Sequence, residues 1–190
     1  MRFNPLSTAT ITRDVLRRLF REFAPEEYRW DPDEKKSKIV IGTANDYHSR
    51  DGVQQFPRIL VQRGMVTQRM TSISENLREV VGEKSEKQRI KRQDIDGSIQ
   101  IIVEATNEGT CEVIGDFVRI LISWSKPYLE LDFGFQAYAR EMQLSECMPD
   151  REDKEKFKIV VTIPYRVEDG WMTESDAFRL KNIFLDLKSS

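Results

Sequence analysis

Apolar residues recur at helical spacing over residues 12–23, where Val15, Leu16, Leu19, Phe20 and Phe23 share one side and Arg13, Arg17, Arg18, Arg21 and Glu22 take the other. The spacing predicts a short amphipathic helix. Thr8, Thr10 and Thr12 stand before it to cap its free amides, and Pro25 supplies a stop. The period then changes to two. KIVIG at 38–42 and RILVQRGMVTQ at 58–68 read as strands, with Gly64 placed to permit a bulge. In SIQIIVEAT at 98–106, Ile99, Ile101, Val103 and Ala105 face one way and Gln100, Ile102, Glu104 and Thr106 the other, the mark of a half-buried strand. FGFQAYAREM at 133–142 predicts a further strand. FKIVVTIPY at 157–165 predicts another; because Pro164 lacks an amide donor, the end of this strand, or the whole of it, is expected at a sheet edge.

The strongest helical signal follows Asn107 and Thr110, both suited to cap it. Val113, Ile114, Phe117, Val118, Leu121 and Trp124 form a broad apolar stripe, and the helix is expected to end before Pro127 and to lie across the sheet. Residues 71–96 are the most polar stretch, and read as a long excursion that leaves the sheet and returns, with one weak helical turn near Leu77 to Val81. The tail, SDAFRLKNIFLDL, fits a helix from Ser175 or a final strand from Lys181; the alternation of Asn182, Ile183 and Phe184 favours the strand. The expected fold is α+β: a mostly antiparallel sheet of about five strands, one long helix packed across it and an N-terminal amphipathic helix, in a single domain spanning residues 1–190.

Composition narrows the function classes. The chain carries 30 basic and 32 acidic residues, so its net charge of -2 provides no global positive field for holding nucleic acid. Its two cysteines, Cys111 and Cys147, are too few for a disulfide framework and too far apart in sequence for a zinc knuckle, so both are expected as reduced thiols. The N-terminal stretch lacks an apolar run of signal-peptide length, and no window is apolar enough to span a bilayer, which leads to the expectation of no membrane and a cytoplasmic site of synthesis.

Candidate chemistry is sparse. His48, the only histidine, lies in the loop-like NDYHSRDG, where a solvated or structural role outweighs a catalytic one. Neither a glycine-rich phosphate loop nor a GxSxG elbow is present. The most serious enzymatic alternative is a metal-dependent nuclease, in which Asp96 and Glu104 would come from neighbouring strands to hold Mg²⁺. In restriction-type nucleases a lysine follows two residues after that glutamate, and here Thr106 takes its place. No catalytic residue, metal ligand or cofactor is assigned. The basic run Lys84, Lys87, Arg89, Lys91 and Arg92 is a candidate for interface or DNA contact, against the plainer reading of a solvated loop. Ile102, Tyr138, Met142 and Val160 fall opposite the expected core and are candidates for contacts on an exposed sheet face, covered either by the N-terminal helix or by a neighbouring subunit.

PRILVQRG, then GSIQIIVEATNEGTCEVIGDFVRILI, then FKIVVTIPYRVEDGW, taken in this order, resemble the tail-terminator and related neck proteins of long-tailed bacteriophages. The likeness spans residues 39–171, about two thirds of the chain, and rests on element order and texture. It implies a homo-oligomeric ring, a hexamer, that ends tail-tube polymerisation. Its implied partners are the tail-tube protein and the head-completion or connector protein. DNA would pass through the lumen, and the chain would reside in the virion after synthesis in the host cytoplasm. The family supplies no catalytic residues to carry over. The charged excursion at 71–96 departs from the pattern.

Overall fold

In a computed structural model the backbone is described over residues 5–44, 56–69, 78–81, 87–150 and 155–173, and side chains over the same residues except 5–7, 68–69, 78–81, 87–93 and 168–173. Helix α1 spans Pro5–Glu22. It begins earlier than its apolar period, because proline is well suited to a first helical position, where no amide partner is needed. The threonines expected as caps lie within the helix. Thr8 and Thr12 are buried, and the Thr12 hydroxyl bonds the Tyr138 hydroxyl at 3.1 Å. A 3₁₀ turn, Glu26–Tyr28, follows Pro25.

The strands are β1 (Val40–Thr43), β2 (Arg58–Arg69), β3 (Arg78–Val81), β4 (Lys87–Ala105), β5 (Phe135–Tyr138), β6 (Gln143–Leu144), β7 (Met148–Pro149) and β8 (Phe157–Thr173). They form one sheet, ordered β1-β2-β4-β8-β5, with β3 against β4 and the short β6 and β7 against β8. Among the described residues only the β1–β2 pairing is parallel. The expected mixed α+β class, mostly antiparallel sheet, long helix and N-terminal helix are all present. The register of β2 against β4 shifts between Arg63 and Val66, the bulge that Gly64 permits.

Several elements differ from the pattern-based reading. Residues 78–81 are strand and not a helical turn, and β4 reaches back to Lys87, so much of the expected excursion belongs to the sheet. Residues 71–77 and 82–86 lie outside the described residues, as do His48 and the tail from residue 174. β8 is an inner strand, paired with β4 on one side and with β5, β6 and β7 on the other, which corrects the expectation that the whole strand lies at an edge. Pro164 falls where β5 has ended and β6 has not begun. Its carbonyl accepts from Ala139 at the very end of the β5 pairing, and because the amide of the same residue points to that same side, its lack of a donor interrupts no ladder bond with β4.

Helix α2 spans Glu108–Asp132, with Asn107 as its cap, accepting from the Thr110 amide at 3.2 Å. It runs through Pro127 for another turn and a half, because that extension buries Leu129 and lets Glu130 accept from the Tyr138 amide at 3.1 Å. Gly134, at φ +71°, then turns the chain into β5.

Both helices lie on one face of the sheet, making two layers. Ala9, Leu16 and Phe20 of α1 and Ile114, Val118, Leu121, Ile122 and Leu129 of α2 close over Ile59, Val61, Ile99, Ile101, Val103, Ile159, Val161 and Ile163. Each such side chain contributes about 1.5–3 kcal/mol when fully buried. Arg17 fastens α1 to β1 by donating to the Ile41 carbonyl at 2.9 and 2.7 Å, its guanidinium lying 5.3 Å from the Trp30 ring centre. No helix among the described residues is long and apolar enough to cross a membrane.

Candidate protein interface

Asp96 and Glu104 do not converge. Both stand on β4, eight residues apart, which at about 3.3 Å per residue separates them by about 26 Å. Each faces an arginine: Glu104 is buried against Arg58 of β2, and Asp96 accepts from Arg166 of β8 at 2.7 Å. These carboxylates serve cross-strand ion pairs on the sheet surface opposite the helices, and they lie too far apart to share a metal ion.

Cys111 and Cys147 approach each other although 36 positions separate them. Cys111 is buried at the start of α2, its sulfur 3.5 Å from the carbonyls of Val103 and Phe157. Burial pushes its thiol up to about 12, and the neighbouring Cys147 adds to the shift. Cys147 is half-buried beside β7, and burial also raises its pKa. Neither has the lowered pKa of a nucleophile or metal-ligating thiolate.

Among the basic candidates, Arg89, Lys91 and Arg92 lie on β4 where it is paired with β8, while Lys87 pairs with β3, which Arg89 also faces in the register. Lys84 lies outside the described residues.

The sheet-face candidates separate. Tyr138 is fully buried on the helix side, which corrects its placement on the exposed face. A register irregularity between Phe135 and Ala137 breaks the two-residue alternation, so that Phe135 and Tyr138 both turn inward. Met142 is half-buried and packs against the core. Ile102 and Val160 do lie on the second face, in a cross-strand row with Leu60, where Ile102 is buried and the other two half-buried. α1 does not cover this row, since it shares the face occupied by α2. The row is bounded by polar ones: Arg58, Glu104 and Lys158 on one side, Gln62, Gln100 and Thr162 on the other. Gln62 donates to Gln100 at 2.7 Å. A mixed, internally paired surface of this kind is at ease in water.

The larger apolar surface lies on α2. At about 100° per residue, Val113, Phe117, Ile120, Trp124, Tyr128 and Leu131 fall within an arc of about 80° running about 27 Å along the helix. This arc is not the one that meets the sheet. Ile114, Val118, Leu121 and Leu129 are buried, whereas Val113 is 54%, Trp124 62% and Leu131 83% exposed. The end of α1 borders the stripe, Phe20 packing edge-on to Phe117 at 5.5 Å and Phe23 to Trp124 at 6.2 Å. Phe133 stands against Tyr128 at its far end, at 5.5 Å. With roughly 150–250 Å² for each aromatic side chain and somewhat less for each aliphatic one, the exposed fractions of Phe23, Val113, Ile120, Trp124, Tyr128, Leu131 and Phe133 amount to about 700 Å². The largest apolar patch on an ordinary monomer is about 300–600 Å².

The helical period alone places Val113 and Trp124 with the core-facing residues, and a helix ending before Pro127 leaves out Tyr128 and Leu131. The alternating steps of four and three from Val113 to Trp124, continued to Leu131, carried the missing signal. No known family model matches the chain, and no curated protein matches it in sequence.

Proposed function

We propose that this chain is a non-enzymatic structural subunit of the head–tail junction of a long-tailed bacteriophage, a tail terminator that closes into a ring, ends tail-tube growth and meets the head connector. The observation that carries the reading is the apolar stripe of α2, an assembly-sized surface set on a rigid two-layer scaffold. The order of helix, strands, long helix and strands supports it, being the order on which the resemblance rests. So does the condition of Asp96 and Glu104, each committed to an arginine and standing far from the other.

A ring subunit works by geometry. It needs a rigid body, a surface that recognises its neighbours, and closed symmetry to limit growth. The sheet supplies the first through the continuous pairing of β4 with β8, from Ala105↔Phe157 to Arg89↔Thr173. The basic residues of β4 are the proposed contacts with DNA crossing the lumen or with the next protein of the neck. The second reading, a binding module or regulator acting as a monomer or dimer, draws on the same stripe. Electron microscopy of the purified protein, alone and mixed with tail tubes, separates them: rings of uniform diameter and tubes capped at one end are expected of a terminator. Single particles that leave the tubes uncapped would contradict it.

A further inference from the structure

We infer that the exposed stripe of α2 is the seat of a second copy of this same chain, an inference that rests on the ring reading and assigns the partner at that surface. Three observations lead to this occupant. First, the area fits. About 700 Å² of apolar surface approaches the roughly 800 Å² that each partner commits to a stable interface of ordinary size, so an identical chain is a sufficient partner.

Second, the charge fits. Two ion pairs near the stripe are internal, Arg119 with Asp116 at 3.3 Å and Arg18 with Glu22 at 3.2 Å, each within one helix. Such pairs lower the charge at the rim, so the stripe can meet another face of an identical chain without strong repulsion.

Third, the spacing fits. Steps of four and three along Val113, Phe117, Ile120 and Trp124 repeat the pattern by which side chains of one helix seat between those of another. Trp124 stands mid-stripe, held edge-on by Phe23, and has the size and rigidity of an anchor residue. Leu131, the most exposed of the set at 83%, contributes little to this subunit's own core.

The test uses the whole chain and the double variant W124E/L131E. Both side chains are exposed, so circular dichroism and melting temperature are expected to stay close to those of the parent. The dissociation constant for self-association, from light scattering over a concentration series, is expected to rise about 100-fold or more. A photoreactive residue at position 128 is expected to give a covalent species of two chains. Cross-linking solely within one chain overturns the inference. A well-folded double variant that self-associates as the parent does, and still caps tail tubes, also overturns it while leaving the ring reading intact. A parent protein that neither self-associates nor caps tubes removes the ring reading itself.

Discussion

At Gly97 the register sets the Tyr165 ring directly across from a residue with no side chain, and a Cβ there would overlap that ring. The ring cannot swing aside, because Phe135 packs against it edge-on at 5.7 Å and the residue is only 3% exposed. Gly97→Ala is therefore expected to destabilise the fold by about 1–3 kcal/mol, as overpacking does, measurable by urea denaturation. Cys111 gives a pH-dependent counterpart. Its thiol titrates at about 12 in the folded chain against an ordinary 9.0, so below pH 9 both states keep the proton and the group adds no pH dependence. Between those values only the unfolded chain ionises there, and stability falls as pH rises. Cys111→Ala is expected to lose less stability than the parent between pH 9 and 11. In native protein at pH 8 a thiol reagent should modify Cys147 first and reach Cys111 at a comparable rate only in denaturant; equal native rates would refute the burial argument.

At the scale of elements, the caps and bends set where each segment ends. The Asn107 side chain satisfies one of the amides left open at the start of α2. Asn107→Ala is expected to cost about 1 kcal/mol, seen as a lower melting temperature. Elements whose own residues alternate were legible: β1, the outer half of β4 and the first half of β8 all lay where period-two patterning placed them. The other half of β4 was not, since KQRIKRQD is polar on both faces and is strand because β3 and β8 flank it. The two prolines are tolerated for different reasons: Pro127 removes one bond of its helix, but the next turn is secured by Leu129 and Glu130, while Pro164 faces the gap between β5 and β6, where no ladder partner waits for an amide.

For the whole molecule, the helices gather on one side and leave two surfaces of unlike character. Among the described residues the second sheet face carries one apolar row among ion pairs and amides, while the α2 stripe carries an apolar surface along the helix. The sequence pattern places a candidate contact surface on the sheet, to be covered by the N-terminal helix or by a neighbouring subunit; of its residues Tyr138 turns inward, because the β5 irregularity breaks the alternation that assigns it. The two-layer α+β arrangement was readable from period and order. The site was not, since telling a helix's buried stripe from its exposed one requires knowing where its neighbours lie. The central claim is that identical chains complete this surface, and the mass of the intact protein in solution, by light scattering from low to high micromolar concentration, tests it most directly. A multiple of 22.3 kDa that persists on dilution, and is lost in W124E/L131E, is the predicted result; a mass of one chain at every concentration, with or without tail tubes, would contradict it.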